Sequence, residues 1–235
     1  QAGVGVITCT RAPGLIEQLA RSDAAVVLNP DREGIARAAA DLGSSQVIVL
    51  PCDAACTEAA HDAARFLAAR SAVSTVRAPA GTARNTGAAR EAARAGLQSG
   101  SQPERYAAEG IQLLVCDTDD EARVLAAAVA VAGRNEGLTA LAGRAGRAAV
   151  RLRTLALNGP DAEADVVAVT ADRALRPEDE LVTVVLGRDA VPDVGALVAE
   201  AATRYGERIH GSHDAVEVVV HAGGQARPDV LLALE

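Results

Sequence analysis

The sequence contains no methionine, no tryptophan and no lysine, and Phe66, Tyr106 and Tyr205 are its only aromatic residues. Each absence removes a class of function. Without lysine there is no P-loop lysine, no Schiff-base lysine and no Ser–Lys dyad; all 23 basic residues are arginine. Three aromatics leave almost nothing to stack on nucleobases, and a net charge of −8 repels a phosphate backbone, so nucleic acid is excluded as a partner. The longest apolar stretch, from Val124 to Gly133, is too short to span a bilayer and lacks the flanks of a signal peptide. Methionine is missing at position 1 as elsewhere, which leads to the expectation that the chain is part of a longer polypeptide.

What is present is aliphatic. Residues of apolar type make up 49% of the 235, enough for a core of Val, Leu, Ile and Ala and too much for a disordered chain. That length suits one large α/β domain or two small ones. Of the four cysteines, Cys9, Cys52 and Cys116 fall at the ends of predicted buried strands, where a reduced thiol acts as a small hydrophobe. A cytoplasmic, disulfide-free protein is expected.

The first hundred residues alternate between apolar runs and helical patterns. Strands are expected at 4–9, 24–28, 46–50 and 73–76, with helices at 14–21, 31–42 (stopped by Gly43), 56–71 and 82–97. Strands buried on both faces and separated by helices imply βαβ units on a parallel sheet. The polar stretch Gln98-Ser-Gly-Ser-Gln-Pro103 has linker character, dividing the chain into an N-terminal α/β lobe at 1–100 and a C-terminal mixed α/β lobe at 101–235. In the second lobe, strands are expected at 111–116, 151–157, 166–170 and 181–186, and helices at 119–133 and 193–205. The stretch 137–150 is ambiguous, because Gly143 and Gly146 weaken its helical pattern. The tail, from Val216 to Glu235, reads as strand, Gly-Gly turn and final strand, with Gly223 and Gly224 supplying positive φ.

In an open α/β sheet, ligands sit beyond the C-terminal ends of the strands, so the candidates are Thr8, Thr10, Asn29, Asp31, Cys52 and Asp53. Asn29-Pro30-Asp31 reads equally as a helix start capped by Asp31, and Asp53 equally caps the helix after it. Cys52-x3-Cys56 with His61 has no second ligand pair at zinc spacing, so a buried thiol pair is the better reading. His210 and His213 flank a Gly-Ser loop and read as exposed loop residues. His221 before the turn is either a buried hydrogen-bonding group or a contact residue. Gln225, just past the turn, either satisfies loop backbone groups, the favoured reading, or faces a partner. Gly3-x-Gly5 precedes its strand instead of following it, so no phosphate-binding fingerprint is present.

Several segments resemble the C-terminal, DegV-like domain of the fatty-acid kinase A subunits, which join a DhaL-type domain to a DegV-like one. Gly3-Val-Gly-Val-Ile7 is similar to that family's opening strand, Asn29-Pro30 to part of its Asn-Pro-Ser loop, and Leu50-Pro51 to its Leu-Pro strand end. Glu180 to Gly187 resembles the strand before its last helix, and Gly223-Gly-Gln225 its Gly-Gly-Gln-Pro ending, with Pro228 displaced by Ala226-Arg227. The middle of the chain, about 98–165, carries no such likeness. The resemblance implies a non-catalytic domain without a cofactor of its own, ATP and magnesium being held by an upstream DhaL-type kinase domain. It implies as partners that kinase domain and a DegV-type fatty-acid-binding protein; self-association into a homodimer stays open. The alternative it implies is a DegV-like protein that itself holds an acyl chain between its lobes, although the Ser/Thr-Gly loops of those proteins are missing here. Binding residues then come from Thr8, Asn29, Asp31, Asp53, His221, Gly223, Gly224 and Gln225.

Overall fold

The computed structural model describes residues 3–76 and 110–235. The first sheet has the order β2-β1-β3-β4, every pair parallel. Its strands are β1 (Gly5–Thr10), β2 (Ala25–Leu28), β3 (Gln46–Leu50) and β4 (Gln112–Val115). A short 3-10 turn (Pro13–Leu15) and α1 (Ile16–Ala20) link β1 to β2. Next come α2 (Arg32–Asp41), α3 (Ala54–Val76), α4 (Glu121–Val131) and α5 (Leu138–Arg151). The two central strands, β1 and β3, are buried on both faces of the sheet, which is why they read as unbroken apolar runs, while the edge strands β2 and β4 are half-buried or exposed.

The expected strand at 73–76 is instead the last turn of α3. A parallel strand there would need the slot beside β3, and β4 occupies it. The ambiguous stretch 137–150 is helix α5: Leu138, Leu141, Ala145 and Ala149 bury one face at helical spacing, and that burial outweighs the cost of two glycines. The helix expected at 82–97 and the linker at 98–103 lie outside the described residues. Among those described, β4, α4 and α5 pack with the first sheet, so the second sheet begins only at Arg153, with Leu152 alone separating it from α5.

That second sheet has the order β5-β8-β6-β7: β5 (Arg153–Leu157), β6 (Leu181–Leu186), β7 (Glu217–Ala222) and β8 (Val230–Leu234). β6 and β7 are parallel, while β8 runs antiparallel between β5 and β6. The tail is therefore not a hairpin, because β6 separates β7 from β8. Helices α6 (Ala164–Ala174) and α7 (Val194–His210) cover one face. The strand expected at 166–170 lies within α6: Val167, Ala168 and Ala171 are buried at helical spacing while Val166 and Val169 face solvent.

Strand β8 explains how the lobes are joined. Val230, Leu232 and Leu234 belong to the core under α6 and α7, whereas Leu231 and Ala233 alternate into the core of the first lobe. Every residue of β8 is buried because it is shared by two cores. The α/β class with two lobes, one parallel and one mixed, is the architecture observed.

Candidate functional site

The end of β1 is fixed by a buried carboxylate. The Thr10 hydroxyl donates to Glu121 Oε2 at 2.7 Å, and the Arg11 N–H donates to Glu121 Oε1 at 2.7 Å. Glu121 is 5% exposed, and burial pushes its carboxyl up to about 7, against the opposing pull of the Thr10 and Arg11 bonds and with help from Asp53 and Asp120. The folded chain thus keeps a proton that the unfolded chain releases near pH 4.5, so stability falls as pH rises from there through about 7. Between about pH 5 and pH 8 this costs on the order of 2 kcal/mol. Urea unfolding at the two pH values should show that slope in the wild type and a flatter one in Glu121→Gln; equal slopes would contradict it.

Arg11 itself reaches Asp53, donating from Nε to Oδ2 and from Nη2 to Oδ1. The same carboxylate accepts the Cys56 N–H at 2.7 Å, so Asp53 both caps α3 and holds Arg11. Burial alone would raise the Asp53 carboxyl, but the Arg11 and Cys56 bonds hold it below the usual range. Asp31 acts as the cap of α2, accepting from the Gly34 N–H at 2.7 Å. Thr8 is fully buried on the same face of β1 as Thr10, and its hydroxyl has no partner among the described residues. Asn29 sits at the end of β2 in the left-handed region, φ 52°, with its N–H donating to Thr10 O at 2.9 Å.

The tail residues build the contact between the lobes. The Gly14 N–H donates to Gly223 O at 2.8 Å, and the Gly224 N–H to Leu186 O at 2.9 Å. Only Gly224 has positive φ, 73°; Gly223 does not, which corrects the expectation for both. Gly223 is needed for space instead, since a Cβ there would lie 2.2 Å from Gln225 Oε1 and 2.7 Å from Val185 Cγ1. Gln225 is 1% exposed; its Nε2 donates to Pro228 O at 3.2 Å and its own carbonyl accepts the Arg188 N–H at 2.8 Å. Its place is inside the tail loop.

Cys9, Cys52 and Cys56 meet where β1, β3 and α3 converge, all buried. Hydrogen bonding to Cys56, then burial, push the Cys9 and Cys52 thiols far up, while those two neighbours draw Cys56 down. Burial pushes Cys116 up to about 11. His61 is exposed, away from this cluster, and no group of three or more metal-ligating side chains is arranged around a metal position among the described residues.

Two cavities flank the lobe contact. One is a cleft of ≈ 810 Å³, where Arg11, Asn29 and Asp53 face Asn158 and Arg227 of the second lobe. The other is a groove of ≈ 450 Å³ between α4 and α5 on one side and β6 and β7 on the other. Ala122, Ala126 and Ala130 of α4 line it at four-residue spacing, so small side chains leave a channel along the helix. Leu125, Val129, Leu152, Leu181 and Val219 give it apolar walls, and Arg151, Thr183 and His221 are among its polar groups. Burial lowers the His221 pKa, so its imidazole is neutral at neutral pH and can donate one hydrogen bond.

Asn29 and Asp53 are thus brought together at one cleft, His221 lines the other cavity, and Thr8, Asp31, Gly223, Gly224 and Gln225 line neither. The strand-end rule passes over Arg11, though it directly follows Thr10. Glu121 reads as no more than a helix-start charge, and the groove residues come from elements far apart in sequence.

No protein-family model matches the chain, and no curated protein matches it in sequence. Among solved structures it is similar to a DegV family protein from Corynebacterium glutamicum, with a TM-score of 0.52 and 12% identity over 99% of this chain and 96% of that one. At that identity the likeness is one of fold: a DegV-like two-lobe α/β architecture. No helix among the described residues is long and apolar enough to cross a membrane.

Proposed function

We propose that this chain is a lipid-binding module that holds one acyl chain in the apolar groove between its lobes, with the carboxylate at the rim against Arg151. The observation that carries this reading is the groove itself, about the size of a small-molecule site and walled by aliphatic side chains from both lobes. Burying an acyl chain there contributes about 0.8 kcal/mol per methylene, so length would govern affinity. Arg151 ends α5, is exposed, and has no ion pair among the described residues, which leaves its guanidinium free for an anion. Glu235 also lines the groove and opposes a carboxylate, so Arg151 must outweigh it. The DegV-like fold supports a fatty-acid-binding role, and no reaction is assigned to the chain.

Calorimetric titration with oleate tests this reading. Ala126→Trp fills the channel and should abolish binding. Arg151→Ala should weaken it about tenfold or more through the lost charged hydrogen bond, with little change in melting temperature. Oleate binding that survives Ala126→Trp would refute the groove. The finer role, as the partner-engaging domain of a kinase whose DhaL-type domain binds ATP and magnesium, would gain support if the chain captured a DegV-type protein while itself binding no lipid.

A further inference from the structure

The cleft at the ends of β1, β2 and β3 shares no lining residue with the acyl groove and gathers two arginines, two asparagines and an aspartate. Apart from Arg11, Asn29, Asp53, Asn158 and Arg227, its walls are two alanines and a proline, with no long aliphatic side chain. The directional contacts open to a ligand there come from those five polar side chains.

The charges narrow the class. Arg11 is neutralised by Asp53, and Arg227 by Asp229, its Nη1 lying 2.7 Å from Asp229 Oδ2. The cleft is therefore nearly balanced in charge and holds no surplus for a dianion such as a phosphate ester. Its donors are not exhausted, however. A guanidinium carries five N–H groups, and Arg227 spends only Nη1, on Asp229 and on Asn158 Oδ1 at 3.3 Å. The fork formed by its Nε and Nη2 has no acceptor among the described residues, and that edge matches a carboxylate in bidentate geometry.

The fork is held in place. Asp229 also accepts the Gly159 N–H at 2.8 Å, and Asn158 Oδ1 accepts the Asp229 N–H at 3.2 Å. The Asn158 carbonyl is thereby occupied while its NH2 stays available. Across the cleft, Asn29 has a left-handed backbone, and its carboxamide bonds to no described residue. Asp53 adds a partly exposed carboxylate. Amide donors and a carboxylate acceptor together meet what hydroxyl groups require, since each hydroxyl both donates and accepts.

We propose that this interlobe cleft binds a small hydroxylated monocarboxylate of the sugar-acid class, its carboxylate on the Arg227 fork and its hydroxyls on Asn29, Asn158 and Asp53. The site draws on both lobes, so its ligand bridges them. It stands independently of the acyl groove.

Calorimetry with gluconate, glucose, inorganic phosphate and decanoate tests it, on the wild type and on Arg227→Lys, Arg227→Ala, Asn29→Gly and Ala126→Trp. Gluconate should bind, with glucose and phosphate about tenfold weaker or worse. Arg227→Lys keeps the charge but loses the fork, and should weaken gluconate about tenfold; Arg227→Ala should weaken it further. Asn29→Gly suits the left-handed backbone and so preserves the fold, yet should also weaken gluconate. Ala126→Trp should leave gluconate binding intact while abolishing decanoate binding, which separates this site from the groove. No binding of gluconate at millimolar concentration, phosphate binding as tight as gluconate, or unchanged affinity in Arg227→Lys would each overturn the proposal.

Discussion

Replacing Gly14 with alanine should cost about 3 kcal/mol and lower the melting temperature by roughly 6–12 °C. A Cβ at this position would lie 1.8 Å from Ala222 O and 3.2 Å from Gly223 O. Both are backbone atoms, so no side-chain rotation relieves the clash. The lobes must separate locally, which also breaks the Gly14 N–H to Gly223 O bond of 2.8 Å. Gly146→Ala is the control, because nothing lies within 4 Å of a Cβ there and the position is inside α5. It should stabilise by about 0.5–1 kcal/mol. Differential scanning calorimetry reads both, and a Gly14→Ala melt matching the wild type would mean that the lobes do not meet as described.

Asp179→Ala should be comparably damaging, at about 3 kcal/mol. Asp179 is 4% exposed and pairs with Arg153, whose Nη1 also donates to Ala174 O at 2.8 Å. Its carboxylate further accepts the Arg176 N–H at 2.7 Å. Alanine would strand a guanidinium at the edge of the second sheet and leave that N–H without its acceptor, and both losses act on the folded state only. Chemical denaturation should show the loss in full, and one below about 1 kcal/mol would place the pair in solvent instead.

The first sheet is legible in the sequence because parallel strands buried on both faces produce unbroken apolar runs, and β1, β2 and β3 fall where those runs lie. Two strand expectations fail. The β-branched runs at 73–76 and 166–170 have local strand preference, yet each lies in a helix, and at 166–170 the burial of Val167 and Ala168 on one helical face decides. Both strands of the tail can be read from its apolar runs, yet the insertion of β6 between them cannot be seen from local sequence. The strand-end rule finds Asn29 and Asp53, whereas Asp31 is a cap and Thr8 an interior residue. Gln225 is readable as an amide that satisfies the tail loop, which its bond to Pro228 O shows, whereas Gly223 stands out without showing that it is needed for space at the lobe contact. The groove is invisible in sequence, since alanines at four-residue spacing in α4 look like ordinary helix until β6 and β7 are laid across from them.

Native mass spectrometry of the chain mixed with palmitate tests the central claim most directly. One palmitate per chain is expected, with the adduct lost in Ala126→Trp and retained in Arg227→Lys. A chain that carries no palmitate, or an adduct that persists in Ala126→Trp with the channel filled by the indole, would contradict an acyl-binding groove between the lobes.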